Sequence, residues 1–272
     1  MPIDGSTINI EARMLGPLQV KTRQRSAVPS AAKPRTLLAL LALNLDRHLS
    51  VDTLIYELWE DDPPRSAAIT LQTYVLQVRR QLAEASDVCP RTISASVLRT
   101  VKAGYVFDPA QAWVDVHEFH RLADRGELAD RAGRTDEAAS LYRAAEELCA
   151  GSPLVDVEHG PALRAEVARL EQAALCVTER RIAAELRMGY HRAALGELAS
   201  LVMRHPFHED LHAQYMVALY RSGNRAGALD VFQKIRRTMT TELGLEPARK
   251  LRDLQEAIIN ADTVPEVLLR SS

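Results

Sequence analysis

Aromatic residues make up only 5% of this 272-residue chain although 47% of it is hydrophobic, so Ala and Leu carry most of the apolar content. That balance favours helix over sheet. No uninterrupted apolar run reaches the roughly eighteen residues a membrane helix needs, and the opening MPIDGSTINIEA has neither a basic n-region nor an apolar h-region. A soluble, cytoplasmic protein without a membrane partner is therefore expected. Cysteine is sparse: Cys89, Cys149 and Cys176 are odd in number and form no C-x-x-C pair, which argues against a disulfide framework and a thiolate zinc site. No G-x-x-x-x-G-K-[ST] or other glycine-rich nucleotide loop is present, and no cofactor is expected. A large charge excess is missing too, the formal net charge being −2. Through Gln111 there are thirteen Lys and Arg against eleven Asp and Glu, and from Ala112 onward twenty-one against twenty-five. The difference is too small to establish nucleic-acid binding, which depends on local surface.

What is present is organised around Arg65 to Ala85, RSAAITLQTYVLQVRRQLAEA. Ala67, Leu71, Tyr74, Val75, Val78 and Leu82 recur at three- and four-residue steps and predict one buried helix face. Opposite lie Ser66, Ile69, Thr73, Leu76, Gln77 and Arg80, with Glu84 the one nearby acid. Base edges suit that mixture: Arg pairs with guanine, Gln with adenine, and an aliphatic group packs on the thymine methyl. An ordinary amphipathic helix with a solvated outer face accounts for the same pattern, so the neighbouring segments have to decide.

Ile8, Ile10, Ala12 and Met14 alternate with polar residues, Gly16-Pro17 breaks the run, and Leu18 to Val20 resumes it, predicting short antiparallel strands. The polar stretch Lys21 to Ser26 reads as a hairpin turn leading to a further strand near Val28. Pro34 opens a buried helix over Thr36 to Leu45. Ser50 caps a short helix, Val51 to Trp59, with Asp52 in its first turn. The acidic turn Glu60-Asp61-Asp62-Pro63-Pro64 then leads into the central stretch. It is either a solvated cap or a surface for RNA polymerase, with the sigma subunit's basic patch as the candidate contact. After Ala85, Thr92 to Phe107 reads as β-rich around a turn at Lys102-Ala103-Gly104, with Arg91, Arg99 and Lys102 as its basic residues. A small sheet, three helices and a terminal hairpin describe a winged helix-turn-helix, its third helix in the groove and its hairpin tip beside the backbone.

The ordered series MLGPLQV (Met14 to Val20), KPRTLLALLAL (Lys33 to Leu43), SVDTLIYELW (Ser50 to Trp59), DDPPRSA (Asp61 to Ala67), LQTYVLQVRRQL (Leu71 to Leu82) and Gly104-Tyr105 resembles the Streptomyces antibiotic regulatory protein family. The resemblance implies an OmpR-type winged helix followed by a bacterial transcriptional activation domain, and activation of secondary-metabolite gene clusters. It implies a dimer on directly repeated promoter sites that recruits polymerase. It also makes Thr73, Gln77, Arg79 and Arg80 groove- or phosphate-facing, with Arg65 and Ser66 at the helix start, although the helical wheel turns Arg79 to the flank and so toward phosphate. Arg99 and Lys102 would grip the backbone or minor groove.

From Trp113 onward β signals give way to successive helical patterns to about Asp262. Gly133-x4-Ala138-x3-Tyr142, Gly189-x4-Ala194-x3-Leu198 and Gly223-x4-Ala228-x3-Phe232 each put glycine at a turn, a small residue at a contact and a large one a turn later. The second and third glycines are 34 residues apart, the tetratricopeptide period. Pro161 to Met188 reads as one long helix, and Pro247 to Ala261 as a cap on the stack. Such an array presents grooves to partners rather than chemistry. The segments HPFHEDLHAQYMVALYRSGNRAGALDVFQKIR and ELGLEPARKL extend the family resemblance over nearly the whole chain.

The expected fold is mainly α with a small β component, a winged helix-turn-helix over residues 7–110, a tetratricopeptide-like all-α domain over 113–262 and a tail over 263–272. The expected function is sequence-specific transcriptional activation on double-stranded promoter DNA, without enzymatic activity. One alternative is a repeat-domain adaptor that reads no DNA. Another is a zinc hydrolase built on His208-Glu209-Asp210-Leu211-His212, which matches H-E-x-x-H. Against it, Pro206 puts the first histidine at a helix start, and Tyr215 and Ala218 stand where the extended motif needs Gly and His. His117 and His120 have no identifiable third ligand.

Overall fold

A computed structural model describes residues 8–260, so the expected tail at 263–272 and the limit at residue 7 lie outside the described residues. The chain divides into two compact units, one of residues 1–121 and 147–174, the other of residues 122–146 and 175–272.

In the first unit, β1 (Ile10–Arg13) pairs antiparallel with β2 (Gln19–Thr22), which pairs with β3 (Arg25–Ser26). The alternation read from sequence holds: Ile10, Ala12 and Met14 face inward and are at most 1% exposed. The hairpin turns on Arg23 and Gln24, both at positive φ, so the third strand starts at Arg25 rather than near Val28. A two-residue turn leaves no slack for a later start. α1 (Ala32–Leu43) begins four residues earlier than expected and buries Leu37, Leu38 and Leu41 completely. Pro34 sits within its first turn, where a missing N–H is harmless.

β4 (Leu49–Ser50) follows, and Ser50 caps α2 (Val51–Trp59) by accepting from Thr53 N at 3.1 Å. α3 (Ala67–Ser86) is the central helix, with Leu71, Val75, Val78 and Leu82 buried as its periodicity requires. Asp87 ends it in the left-handed conformation. Residues 90–96, read as the start of a β-rich segment, instead form α4 (Pro90–Ser96). Pro90 suits a helix start, and Ile93 and Val97, four apart, both reach the core. The β signal begins only at β5 (Leu98–Thr100) and continues in β6 (Gly104–Phe107), paired Leu98 to Phe107 and Thr100 to Tyr105.

Two pairings escaped the sequence reading. β4 hydrogen-bonds β6, and β7 (Ala112–Val114) runs parallel to β1, so Trp113 belongs to a strand and the β content does not end before it. Strands of two or three residues carry too little periodicity to register locally. α5 (Asp115–Arg131) starts with Asp115, which is 2% exposed and accepts from Met14 N and Leu15 N at 2.7 and 2.9 Å. Burial pushes the Asp115 carboxyl up, partly opposed by those hydrogen bonds. Residues 147–174 complete this unit: Leu18 N donates to Asp156 and Thr36 Oγ1 to the Glu158 carbonyl.

The unit boundary falls within α5 and again within α7 (Pro161–Arg187), while α6 (Thr135–Glu146) lies between them in sequence. The second unit continues with α8 (His191–Arg204), α9 (Glu209–Arg221), α10 (Arg225–Leu243) and α11 (Arg249–Asn260). Gly133, Gly189 and Gly223 occupy inter-helix turns at φ of +75°, +91° and +89°. Ala138, Ala194 and Ala228 are at most 3% exposed, and Tyr142, Leu198 and Phe232 at most 2%. The repeat thus reads as turn, close contact and wedge. Leu251, Leu254 and Ile258 close the core on α11. The second unit is a tetratricopeptide-like helical stack, and the whole fold is mainly α with two small sheets among the described residues.

Candidate nucleic-acid interface

α2, the acidic turn and α3 form a helix-turn-helix whose geometry starts at Glu60. Its φ of +52° ends α2, and Asp62 N donates to Trp59 O while Ala67 N donates to Pro64 O. Trp59 stacks on Tyr74 with ring centroids 6.0 Å apart, joining the two helices beside the core of Leu54, Leu58 and Leu71.

With its inner face buried, α3 leaves the outer one open. Ile69 is 69% and Leu76 52% exposed, and Thr73 and Arg80 are exposed while Gln77 is half-buried. Arg65 and Ser66 are exposed at the helix start, and the Ser66 side chain makes no cap hydrogen bond. The Thr73 hydroxyl donates to Ile69 O at 3.1 Å, so its remaining capacity toward a ligand is as an acceptor. Two exposed aliphatics flanked by hydroxyl, amide and guanidinium groups are suited to a thymine methyl and base edges.

Arg79 is placed differently. Its Nε and Nη2 donate to Leu98 O at 3.0 and 2.7 Å, Nη2 also donates to Thr100 Oγ1 at 2.8 Å, and its guanidinium lies 5.9 Å from the Tyr105 ring centroid. Burial lowers the Arg79 pKa, opposed by Tyr105, while burial raises that of Tyr105. Arg79 therefore ties the hairpin to α3. Sequence reasoning missed Thr100 and Tyr105 as its partners, since only their pairing across β5 and β6 brings them together.

The hairpin tip carries exposed Lys102 at φ +50°. Arg99 is half-buried and turned back toward Asp108, 3.6 Å away. Among the acidic residues, Asp61 and Asp62 are exposed, whereas Glu60 accepts from Arg164 at 2.8 Å and is held below the usual carboxylate range by that bond. Glu57, which the sequence reading passed over, is 4% exposed and accepts from Ala162 N and Leu163 N at 2.7 and 3.0 Å, capping α7.

The H-E-x-x-H segment is engaged in packing. His208 is the N-cap of α9 with Nε2 3.7 Å from Glu179, and His212 is 6% exposed with Nδ1 3.0 Å from the His208 carbonyl. Among the described residues no group of three or more His, Cys, Asp or Glu is disposed to hold a metal ion, and no helix is long and apolar enough to cross a membrane.

Comparison with known proteins agrees with this geometry. The family "Transcriptional regulatory protein, C terminal" matches residues 25–107, and "Bacterial transcriptional activator domain" matches residues 114–259. Regulatory protein DnrI of Streptomyces peucetius is 44% identical over 253 residues, covering 93% of each chain. Transcriptional regulator RedD of Streptomyces coelicolor is 31% identical, covering 95% of this chain and 73% of its own. The structure of Mycobacterium tuberculosis EmbR in complex with a low affinity phosphopeptide superposes with a TM-score of 0.85 at 28% identity, covering 96% of this chain and 67% of that one. The chain belongs to the Streptomyces antibiotic regulatory protein family, transcriptional regulators that join an OmpR-type winged helix-turn-helix to a bacterial transcriptional activator domain.

Proposed function

We propose that this chain activates transcription of a secondary-metabolite gene cluster by laying α3 in the major groove of promoter DNA. The observation that carries the reading is the open face of α3, where Ile69 and Leu76 stand bare beside Thr73, Gln77 and Arg80. Ser66, Thr73, Gln77 and Arg80 contact bases, and Arg65 and Lys102 contact phosphates. Arg79 and Arg99 act at the flank, Arg79 chiefly by holding the hairpin in register with α3. The DNA-reading domain is assigned to residues 7–110 and the partner-binding helical domain to 113–262. The protein works in the cytoplasm as a homodimer on direct repeats, with no catalytic role; its relatives bear the names of regulators. Arg80→Ala is expected to cost about 1–3 kcal/mol on the cognate site and to relax discrimination at one base pair. Binding isotherms on cognate and scrambled duplexes check this, and an equal loss on both would reassign Arg80 to phosphate.

Asp61 and Asp62 project from the turn between α2 and α3 and are proposed to meet the sigma subunit of RNA polymerase. Glu60 is a weaker candidate because Arg164 already occupies it. The Asp61→Lys/Asp62→Lys protein should bind its promoter normally yet fail to raise transcription in a purified system. Loss of both properties together would sink the assignment.

A further inference from the structure

We propose that a cavity in the first unit, between the end of α1, the start of α5 and the first turns of α7, binds a small organic anion with a compact apolar skeleton. The cavity holds about 360 Å³, the low end of the range for small-molecule sites and room for roughly one or two fused rings. Leu40, Leu43, Val116 and Leu163 supply an apolar wall. Arg47, Arg169, His117 and His120 stand around it, with Glu166 as the one carboxylate.

Charge decides the ligand class. Both Glu166 oxygens are taken by Arg169, at 2.9 and 2.6 Å, which cancels one cation and leaves the exposed Arg47 guanidinium over. Arg47 makes no ion pair among the described residues. The imidazole of His117 adds an N–H donor even when neutral, while His120 Nε2 faces Arg169 Nη2 at 3.5 Å. Glu166 registers the same field: the hydrogen bonds from Arg169 hold its carboxyl below the usual range against some desolvation, helped by the charges of Arg169, His120 and Arg47. A carboxylate or phosphate on an apolar body satisfies wall and cations together; a neutral molecule gains from the wall alone and leaves Arg47 to solvent.

The site also lies behind the hairpin. The turn that carries Arg47 is tied to it by Asp46 N donating to Phe107 O at 2.9 Å and by His48 Nε2 lying 3.0 Å from the Val101 carbonyl. A bound anion therefore bears on the segment proposed to grip DNA. The binding test below uses no DNA, so its outcome is independent of that proposal.

The test is calorimetric titration of the full chain with 2-naphthoate, 1-naphthyl phosphate and the neutral 2-naphthamide. At least one acid should bind saturably at a single site, with the amide about tenfold weaker or worse, the factor expected for one charged hydrogen bond. Arg47→Gln and Arg169→Gln should each weaken the acids about tenfold and leave the amide unchanged. Glu166→Gln removes the competing carboxylate and should tighten both acids, a gain that misfolding cannot imitate. Absence of binding by both acids, equal affinity for acid and amide, or unchanged affinity in the Arg47→Gln/Arg169→Gln chain would overturn the proposal.

Discussion

Gly160→Ala is expected to destabilise the first unit by about 2.5–6 kcal/mol, combining a forced backbone shift of roughly 1–3 with about 1.5–3 for displaced hydrogen bonds to a charged group. Gly160 is buried directly before α7, and a Cβ there would fall 2.0 Å from the Glu57 carbonyl oxygen and 2.5 Å from its Cδ. Glu57 cannot yield without releasing Ala162 N and Leu163 N, two helix-start donors that have no partner within their own helix. Both tryptophans, Trp59 and Trp113, lie in this unit, so urea unfolding followed by tryptophan fluorescence reports on it selectively. An unfolding free energy from the fluorescence curve within about 0.5 kcal/mol of the parent chain, the usual span for neutral surface changes, would show the contact to be dispensable. Glu57→Gln should lie between, since an amide keeps one acceptor but brings donors against two N–H groups.

The second large effect is expected in the other unit. Arg181 is 7% exposed and its guanidinium serves three carboxylates: Glu146, Glu185 at 2.8 Å and Glu197 at 2.6 Å. Burial opposes the Arg181 charge, but the hydrogen bond to Glu197 and the charges of Glu146, Glu197 and Glu185 outweigh it and raise its pKa. Arg181→Ala leaves Glu185 with Arg143 as its one remaining cation among the described residues and releases Glu146 and Glu197 to solvent, so the loss should be about 1.5–3 kcal/mol, the range for hydrogen bonds to charged groups. Exposed pairs such as Arg121–Glu118 should instead matter little, because solvent screens their attraction. Because the unit contains no tryptophan, its unfolding is followed by helical circular dichroism alongside the fluorescence of the first unit. A dichroism transition that stays in place would refute the role given to Arg181. In Arg181→Ala/Glu185→Ala part of the loss should return, since the buried carboxylate leaves with its partner.

Much of the candidate interface was legible in the chain because helical faces are written at three- and four-residue spacing. Leu71, Val75, Val78 and Leu82 dictate which side of α3 is buried, and Ile69, Thr73, Leu76 and Arg80 follow on the other. Ser50 before Val51 specifies a cap through its own hydroxyl. The repeated Gly, Ala and large residue of the helical stack needed no partner to be recognised, since each glycine serves its own turn at positive φ.

What sequence could not show lies at long separation. Arg79 is read from periodicity as a flank cation, and only the pairing of β5 with β6 puts the Leu98 carbonyl and the Thr100 hydroxyl where its guanidinium ends. The helix at Pro90–Ser96 hides behind β-branched and apolar residues whose burial depends on the core they meet. Glu57 and Leu163 are 106 positions apart, and no local pattern couples a mid-helix glutamate to a distant helix start. Local propensity and hydrophobic spacing thus determine which segments are helices and which faces they bury. Which polar groups those faces meet is decided by chain closure, because a buried hydrogen bond needs a partner within about 3 Å that only the assembled fold supplies.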